Sequence, residues 1–153
     1  MFLLDVNVLI ALADPSHVHH QAVSSWFSRH QRDGWATCPL TENGVLRIIG
    51  HPNYPKGPGS PEATRPLLEL LLAQPGHQFW ADTISLVSSR RYPGLPAAKH
   101  LTDFYLLALA IEHGARLATI DRLIDPRLIP GGPAAYFLIP SVDEGASSRY
   151  PSP

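Results

Sequence analysis

Four carboxylates recur at equivalent places in this chain of 153 residues. Asp5 follows the apolar run Phe2-Leu3-Leu4, Glu42 follows the stretch from Trp35 to Thr41, and Asp121 follows Leu117-Ala118-Thr119-Ile120. Asp103 opens an apolar helical segment that runs to Ile111. In an open α/β sheet, strand ends and helix starts share one edge, where ligands bind. Acids converging on such an edge repel one another unless a cation compensates. The pattern therefore predicts a Mg²⁺ or Mn²⁺ site made of oxygen ligands. Such a site suits phosphodiester hydrolysis, which needs an activated water, neutralised non-bridging oxygens and help for the leaving oxygen. Asp5 and Asp103 are the expected principal ligands, with Glu42 and Asp121 completing the pocket directly or through water. Asn7 is placed to orient a water or a phosphate, and Thr119 to hydrogen-bond one of the acids. Arg90, Arg91 and Lys99, with His100, flank the segment before Asp103 and either hold substrate phosphates or form an ordinary solvated charge cluster.

Each acid also has a plainer reading. Asp103 and Glu42 are favoured in the first turn of any helix by the helix dipole, and Asp121 suits a turn. Asp5 is harder to explain away, because an unpaired carboxylate in an apolar segment is unfavourable. His17, His19 and His20 invite a metal reading, but residues two apart do not share a helix face, so they read as a solvated surface. Trp26, Trp35 and Trp80 read as core or interface anchors. Cys38 lacks the spacing to an acid or base that would mark a nucleophile.

Elements able to position the acids alternate along the chain. Phe2–Asp5 reads as a short buried strand and Val8–Ala13 as helix, stopped by Asp14-Pro15. Ser16 is the expected N-cap of a helix carrying Val18, Ala22, Trp26 and His30 at a spacing of four. Residues 36–41 look strand-like and 42–49 helical, and the Gly- and Pro-rich stretch 50–61 is a loop. A Leu-rich helix is expected over 63–73. Residues 84–87 fit either a strand or a short helix. Thr102 is the expected cap of a helix to His113, with Gly114 just past its end. Strands are expected at 116–120 and 136–139. This order argues for an α/β/α sandwich with a mainly parallel central sheet, spanning residues 1–140 as one domain, with 141–153 as a flexible tail.

Composition sets outer bounds. With 44% hydrophobic residues the chain can bury a core. A net charge of −1, from 12 basic and 13 acidic residues, gives no general basic field for nucleic acid, yet leaves room for a nuclease whose cations neutralise phosphates. A single cysteine excludes an internal disulfide and agrees with a reducing cytoplasm. No apolar stretch suits a signal peptide or a membrane span.

The segments Leu4-Asp5-Val6-Asn7-Val8-Leu9-Ile10, Thr41-Glu42-Asn43-Gly44-Val45-Leu46-Arg47-Ile48, 101–110 with Thr102-Asp103, and Leu117-Ala118-Thr119-Ile120-Asp121-Arg122 resemble, in order and separation, the four motifs of PIN domains. More narrowly they resemble the VapC-type toxins of bacterial toxin–antitoxin pairs. The resemblance covers roughly residues 1–140. It implies a PIN-like fold and a Mg²⁺- or Mn²⁺-dependent ribonuclease, usually a homodimer, acting on an RNA such as a tRNA or ribosomal RNA stem-loop. It also implies a cognate antitoxin that holds the enzyme inactive. Three other readings compete: an RNA-processing nuclease of the same family without an antitoxin, a phosphatase with an aspartyl nucleophile, and an inactive binding module. The phosphatase usually has a second acid where this chain has Asn7, and a binding module would not need all four acids.

Overall fold

The computed structural model describes residues 1–122 and 125–141, so the tail expected over 141–153 lies outside the described residues from 142 onward. Five short strands form one sheet: β1 (Phe2–Leu4), β2 (Trp35–Thr37), β3 (His77–Phe79), β4 (Arg116–Thr119) and β5 (Tyr136–Leu138). Their order is β3-β2-β1-β4-β5, and every neighbouring pair is parallel. The connections carry the helices α1 (Val6–Ala13), α2 (His20–His30), α3 (Pro39–Ile49), α4 (Pro61–Leu72), α5 (Leu101–Glu112) and α6 (Gly132–Ala135).

Side-chain alternation along the strands builds the two outer layers. Leu3, Ala36 and Leu117 face one side, where they pack with Phe104, Leu107 and Ala135 of α5 and α6. Phe2, Leu4, Trp35 and Ala118 face the other, against Val8, Val23, Val45 and Leu68 from α1 to α4. The result is the expected α/β/α sandwich. Because both faces are covered, the inner strands β1 and β2 are buried on both sides rather than alternating between buried and exposed residues. Trp26, Trp35 and Trp80 are all buried anchors in this packing. None of the helices of the described residues is long and apolar enough to cross a membrane.

Several boundaries differ from expectation, each for a local reason. Helix α2 starts at His20, not beside Ser16: the Asp14 carboxylate accepts from the Ser16 amide at 2.9 Å and from the Tyr54 hydroxyl at 2.7 Å, holding residues 14–19 in turns. Val18 is consequently 86% exposed. Helix α3 starts three residues before Glu42, because Pro39 suits the first helical position, where an N–H has no partner anyway. There the Cys38 amide donates to the Thr41 hydroxyl at 2.9 Å. Helix α4 is capped by the Ser60 hydroxyl, which accepts from the Ala63 amide. Residues 84–87 form neither strand nor helix; the sheet instead takes its edge strand from His77–Phe79. Helix α5 opens at Leu101 behind a 3-10 turn, Ala98–His100, so Thr102 lies inside it rather than capping it. Gly114 does follow its end, at φ 61°.

The start of α1 meets the middle of α3, where Gly44 lies against Val6: a Cβ on Gly44 would sit 2.8 and 3.0 Å from the two Val6 methyls. Gly44→Val is expected to destabilise the fold by about 1–3 kcal/mol through overpacking, measured by urea unfolding. Val6→Ala in the same chain should recover most of the loss, and an unchanged midpoint for Gly44→Val would contradict the packing.

Candidate active site

From β1 the sheet grows outward in both directions, first to β2 and β3 and then to β4 and β5. The carboxyl ends of β1 and β4 thus flank the point where strand order reverses, the usual position of a ligand crevice in open parallel sheets. Asp5 follows β1 directly, its amide donating to the Ala118 carbonyl at 3.0 Å. Asp121 lies two residues past β4. Asp103 stands in the first turn of α5, half-buried.

Asp5 is only 2% exposed. One carboxyl oxygen, Oδ2, accepts from the Thr119 hydroxyl at 2.8 Å, and the same hydroxyl oxygen accepts from the Asp121 amide at 3.0 Å. Thr119, fully buried at the end of β4, thereby ties two of the acids together. Burial pushes the Asp5 carboxyl up from 3.8 to about 6; the Thr119 hydrogen bond opposes this, and Asp103 and Asp121 raise it further by repulsion. Asp103 is likewise raised, by burial first and then by Asp121, with His100 pulling the other way. Asp5, Asp103 and Asp121 are therefore brought into one electrostatic neighbourhood at the switch point.

Glu42 stands in the first turn of α3. Its Oε1 accepts from the Thr37 hydroxyl at 2.6 Å, and the Thr37 oxygen lies 2.8 Å from His77 Nε2. Burial lowers the His77 pKa, against the opposing pull of Glu42. Asn7, in the first turn of α1, is exposed at the same edge. Lys99 is exposed in the 3-10 turn just ahead of Asp103, and Arg90 is exposed in the preceding irregular segment. Arg91 is separated from the acids: its guanidinium pairs with Glu112 in the last turn of α5, about 14 Å along the helix from Asp103.

Three residues of the site were missed by the sequence reading. Thr37 carried a faint signal, since Trp35-Ala36-Thr37 and Leu117-Ala118-Thr119 each end a strand in a buried threonine. His77 carried none. Tyr136 was also silent: its hydroxyl donates to the Asp121 carbonyl, and its own pKa is raised by burial and by Asp121, Asp5 and Asp103. It reaches them through the β4–β5 register, in which Tyr136 pairs with Leu117.

Among the described residues, no three His, Cys, Asp or Glu side chains close on one point as a finished ion cage. The donor set still fits a hard divalent cation. All its oxygens are carboxylate, the raised pKa values of Asp5 and Asp103 register burial first and repulsion from neighbouring acids second, which a cation would offset, and Mg²⁺ commonly keeps several waters instead of demanding a full protein shell.

Thr119→Val is expected to remove a hydrogen bond to a charged partner and lower stability at neutral pH by about 1.5–3 kcal/mol. The Asp5 pKa should rise above its present value of about 6, as read by NMR titration of the carboxyl carbon. An unmoved pKa would show that Thr119 does not stabilise the carboxylate.

A PIN domain model matches residues 2–125. The chain belongs to the PIN domain family, within its VapC-type members. It is similar to Ribonuclease VapC44 of Mycobacterium tuberculosis (strain ATCC 25618 / H37Rv), at 40% identity over 134 residues, 84% of this chain and 92% of the relative. Ribonuclease VapC38 of the same strain is 45% identical over 122 residues, covering 79% of this chain and 85% of its own length. Ribonuclease VapC39 is 40% identical over 121 residues, covering 78% and 87%.

Proposed function

We propose that this protein is a Mg²⁺- or Mn²⁺-dependent endoribonuclease and serves as the toxin of a type II toxin–antitoxin pair. The observation that carries the reading is the cluster of Asp5, Asp103 and Asp121 at the β1–β4 switch point, with Asp5 buried and held by Thr119. Relatives of nearly the same length that bear the name ribonuclease support it. A divalent cation bound there supplies neutralisation of the phosphate and a more acidic water. Asp5 and Asp103 are the residues to hold it, with Asp121 and Glu42 completing the set directly or through water. Thr119 keeps Asp5 ionised and oriented by donating to Oδ2. Asn7 faces the same edge, where its amide can orient a water or a phosphate oxygen. Lys99 and Arg90 are the cations on the Asp103 side able to meet an RNA backbone.

The reading includes an RNA substrate of the tRNA or ribosomal RNA kind, a homodimer, a cytoplasmic setting and a short inhibitory antitoxin. An inhibitor arginine suits the acid cluster, because a guanidinium matches carboxylates bidentately and competes with a cation. Sequencing RNA 5′ ends after expression, against an Asp5→Asn control, tests the nuclease. New ends confined to the unaltered protein are expected, and identical profiles would refute it. Light scattering tests the dimer. Co-expression with the product of the upstream reading frame tests the inhibitor, and failure to co-purify would remove the toxin reading while sparing the nuclease.

A further inference from the structure

We propose that His77, acting through Thr37, is a positioning residue for Glu42, so that the working site extends one strand beyond the four acids to the sheet edge. The inference rests on the reading of Glu42 as part of the cation-holding set. Thr37 is fully buried, and its hydroxyl has one proton. Two groups lie within hydrogen-bond reach of its oxygen, Glu42 Oε1 at 2.6 Å and His77 Nε2 at 2.8 Å. If His77 presents a bare Nε2, the ring competes with Glu42 for the Thr37 proton. If His77 carries its proton on Nε2, it donates to the Thr37 oxygen while the Thr37 O–H donates to Glu42 Oε1. The short contact to Glu42 and the contact to His77 are both satisfied only in the second arrangement. His77 thereby sets the direction of a two-step relay that ends on the Glu42 carboxylate, occupying Oε1 and leaving Oε2 for a ligand.

The relay is built into the sheet. In the β2–β3 register Trp35 pairs with His77 and Thr37 with Phe79, so His77 and Thr37 are diagonal neighbours across two parallel strands. The His77 ring packs on the Trp35 indole with centroids 4.6 Å apart. The Trp35 Nε1–H donates to the Pro75 carbonyl at 2.9 Å, pinning the turn that delivers β3. The arrangement repeats at Glu42 what Thr119 does for Asp5: a buried threonine ending a strand donates to an acid that begins a helix. Hydrogen bonds of this kind orient metal-holding carboxylates, and losing them commonly weakens metal affinity about 10–100-fold.

The test uses the full chain, with Mn²⁺ alone as the probe in calorimetry and RNA cleavage as the second readout. His77→Phe keeps the ring but has no donor; His77→Gln restores an N–H; Thr37→Val and Thr37→Ser repeat the comparison at the hydroxyl. His77→Phe and Thr37→Val are expected to weaken Mn²⁺ binding about tenfold and to lower kcat with little change in KM for RNA. Gln and Ser should recover most of both, and the double variant Thr37→Val/His77→Phe should be no worse than Thr37→Val alone. Melting curves like the unaltered protein's for His77→Phe and His77→Gln would separate positioning from unfolding. If His77→Phe binds Mn²⁺ and cleaves as well as the unaltered protein while Glu42→Gln is impaired, the relay is overturned and Glu42 keeps its role. If Glu42→Gln is itself unimpaired in both readouts, the reading of Glu42 fails and the relay falls with it.

Discussion

Replacing Asp5 with Asn is expected to abolish RNA cleavage and, at the same time, to raise the melting temperature of the metal-free protein. Asn can still accept the Thr119 hydrogen bond through its amide oxygen, so the strand end and helix start should keep their geometry. What disappears is a charge held at 2% exposure with a pKa moved from 3.8 to about 6. That shift of about two units corresponds to roughly 3 kcal/mol against the ionised folded state. The sign follows from proton binding. Between about pH 4 and 6 the folded chain binds the Asp5 proton more tightly than the unfolded chain does, so stability falls as pH rises across that window, and the full penalty stands above it. Removing the penalty from a chain of this size should raise the melting temperature by about 5–10 °C at pH 7.5, and much less at pH 4. Thermal melts in EDTA at the two pH values provide the check. An Asn variant that melts below the unaltered protein at pH 7.5 would show that the Asp5 charge supports the fold instead of straining it. The loss of cleavage should exceed the roughly 100-fold that disturbing a ligand's hydrogen-bond partners commonly causes.

Chelation is the second large effect. EDTA should reduce cleavage to background, and Mg²⁺ or Mn²⁺ should restore it. The concentration of metal needed should fall as pH rises through 6. Cations and protons compete for the same oxygens, so below that pH the apparent affinity should increase about tenfold per pH unit for each carboxyl that must ionise first. Asp5 is one such group, with its pKa near 6, and Asp103 is raised as well. Above pH 6 the dependence on Asp5 should flatten. Titrating Mn²⁺ against cleavage at pH 5.5, 6.5 and 7.5 measures this, and full activity in EDTA would remove the cation from the reaction.

The site was legible in the sequence to the extent that its chemistry is local. An acid that ends an apolar run stands out because burying it needs a reason, which singled out Asp5, whereas Asp103 and Asp121 stood out only by recurring at a helix start and past a strand. The sandwich was legible too, since buried parallel strands leave short apolar runs between helical stretches. Pairings between distant residues were not. Thr37 meets Glu42 within one turn, but His77 arrives from 40 residues away through strand register. Strand β3 escaped notice because His77-Gln78-Phe79 is short, polar and at the sheet edge, where pairing on one side supplies most of its stability. The early start assigned to α2 arose from Val18 falling on a four-residue period, whereas the Asp14 side chain captures the Ser16 amide and delays the helix. The pairing of Arg91 with Glu112 was likewise invisible, because the two are 21 residues apart in the chain.

The strand order also has a bearing on time. Asp5 is near the start of the chain, and its hydroxyl partner Thr119 lies 114 residues later, on the strand that pairs beside it. No segment shorter than that span contains both, so the acid cluster does not exist in a growing or half-folded chain. Such distant pairings form slowly, because the loop between them must be closed before any contact compensates for it. On the proposed function, the cutting site is complete only once the strand carrying Thr119 has been made, 114 residues after Asp5.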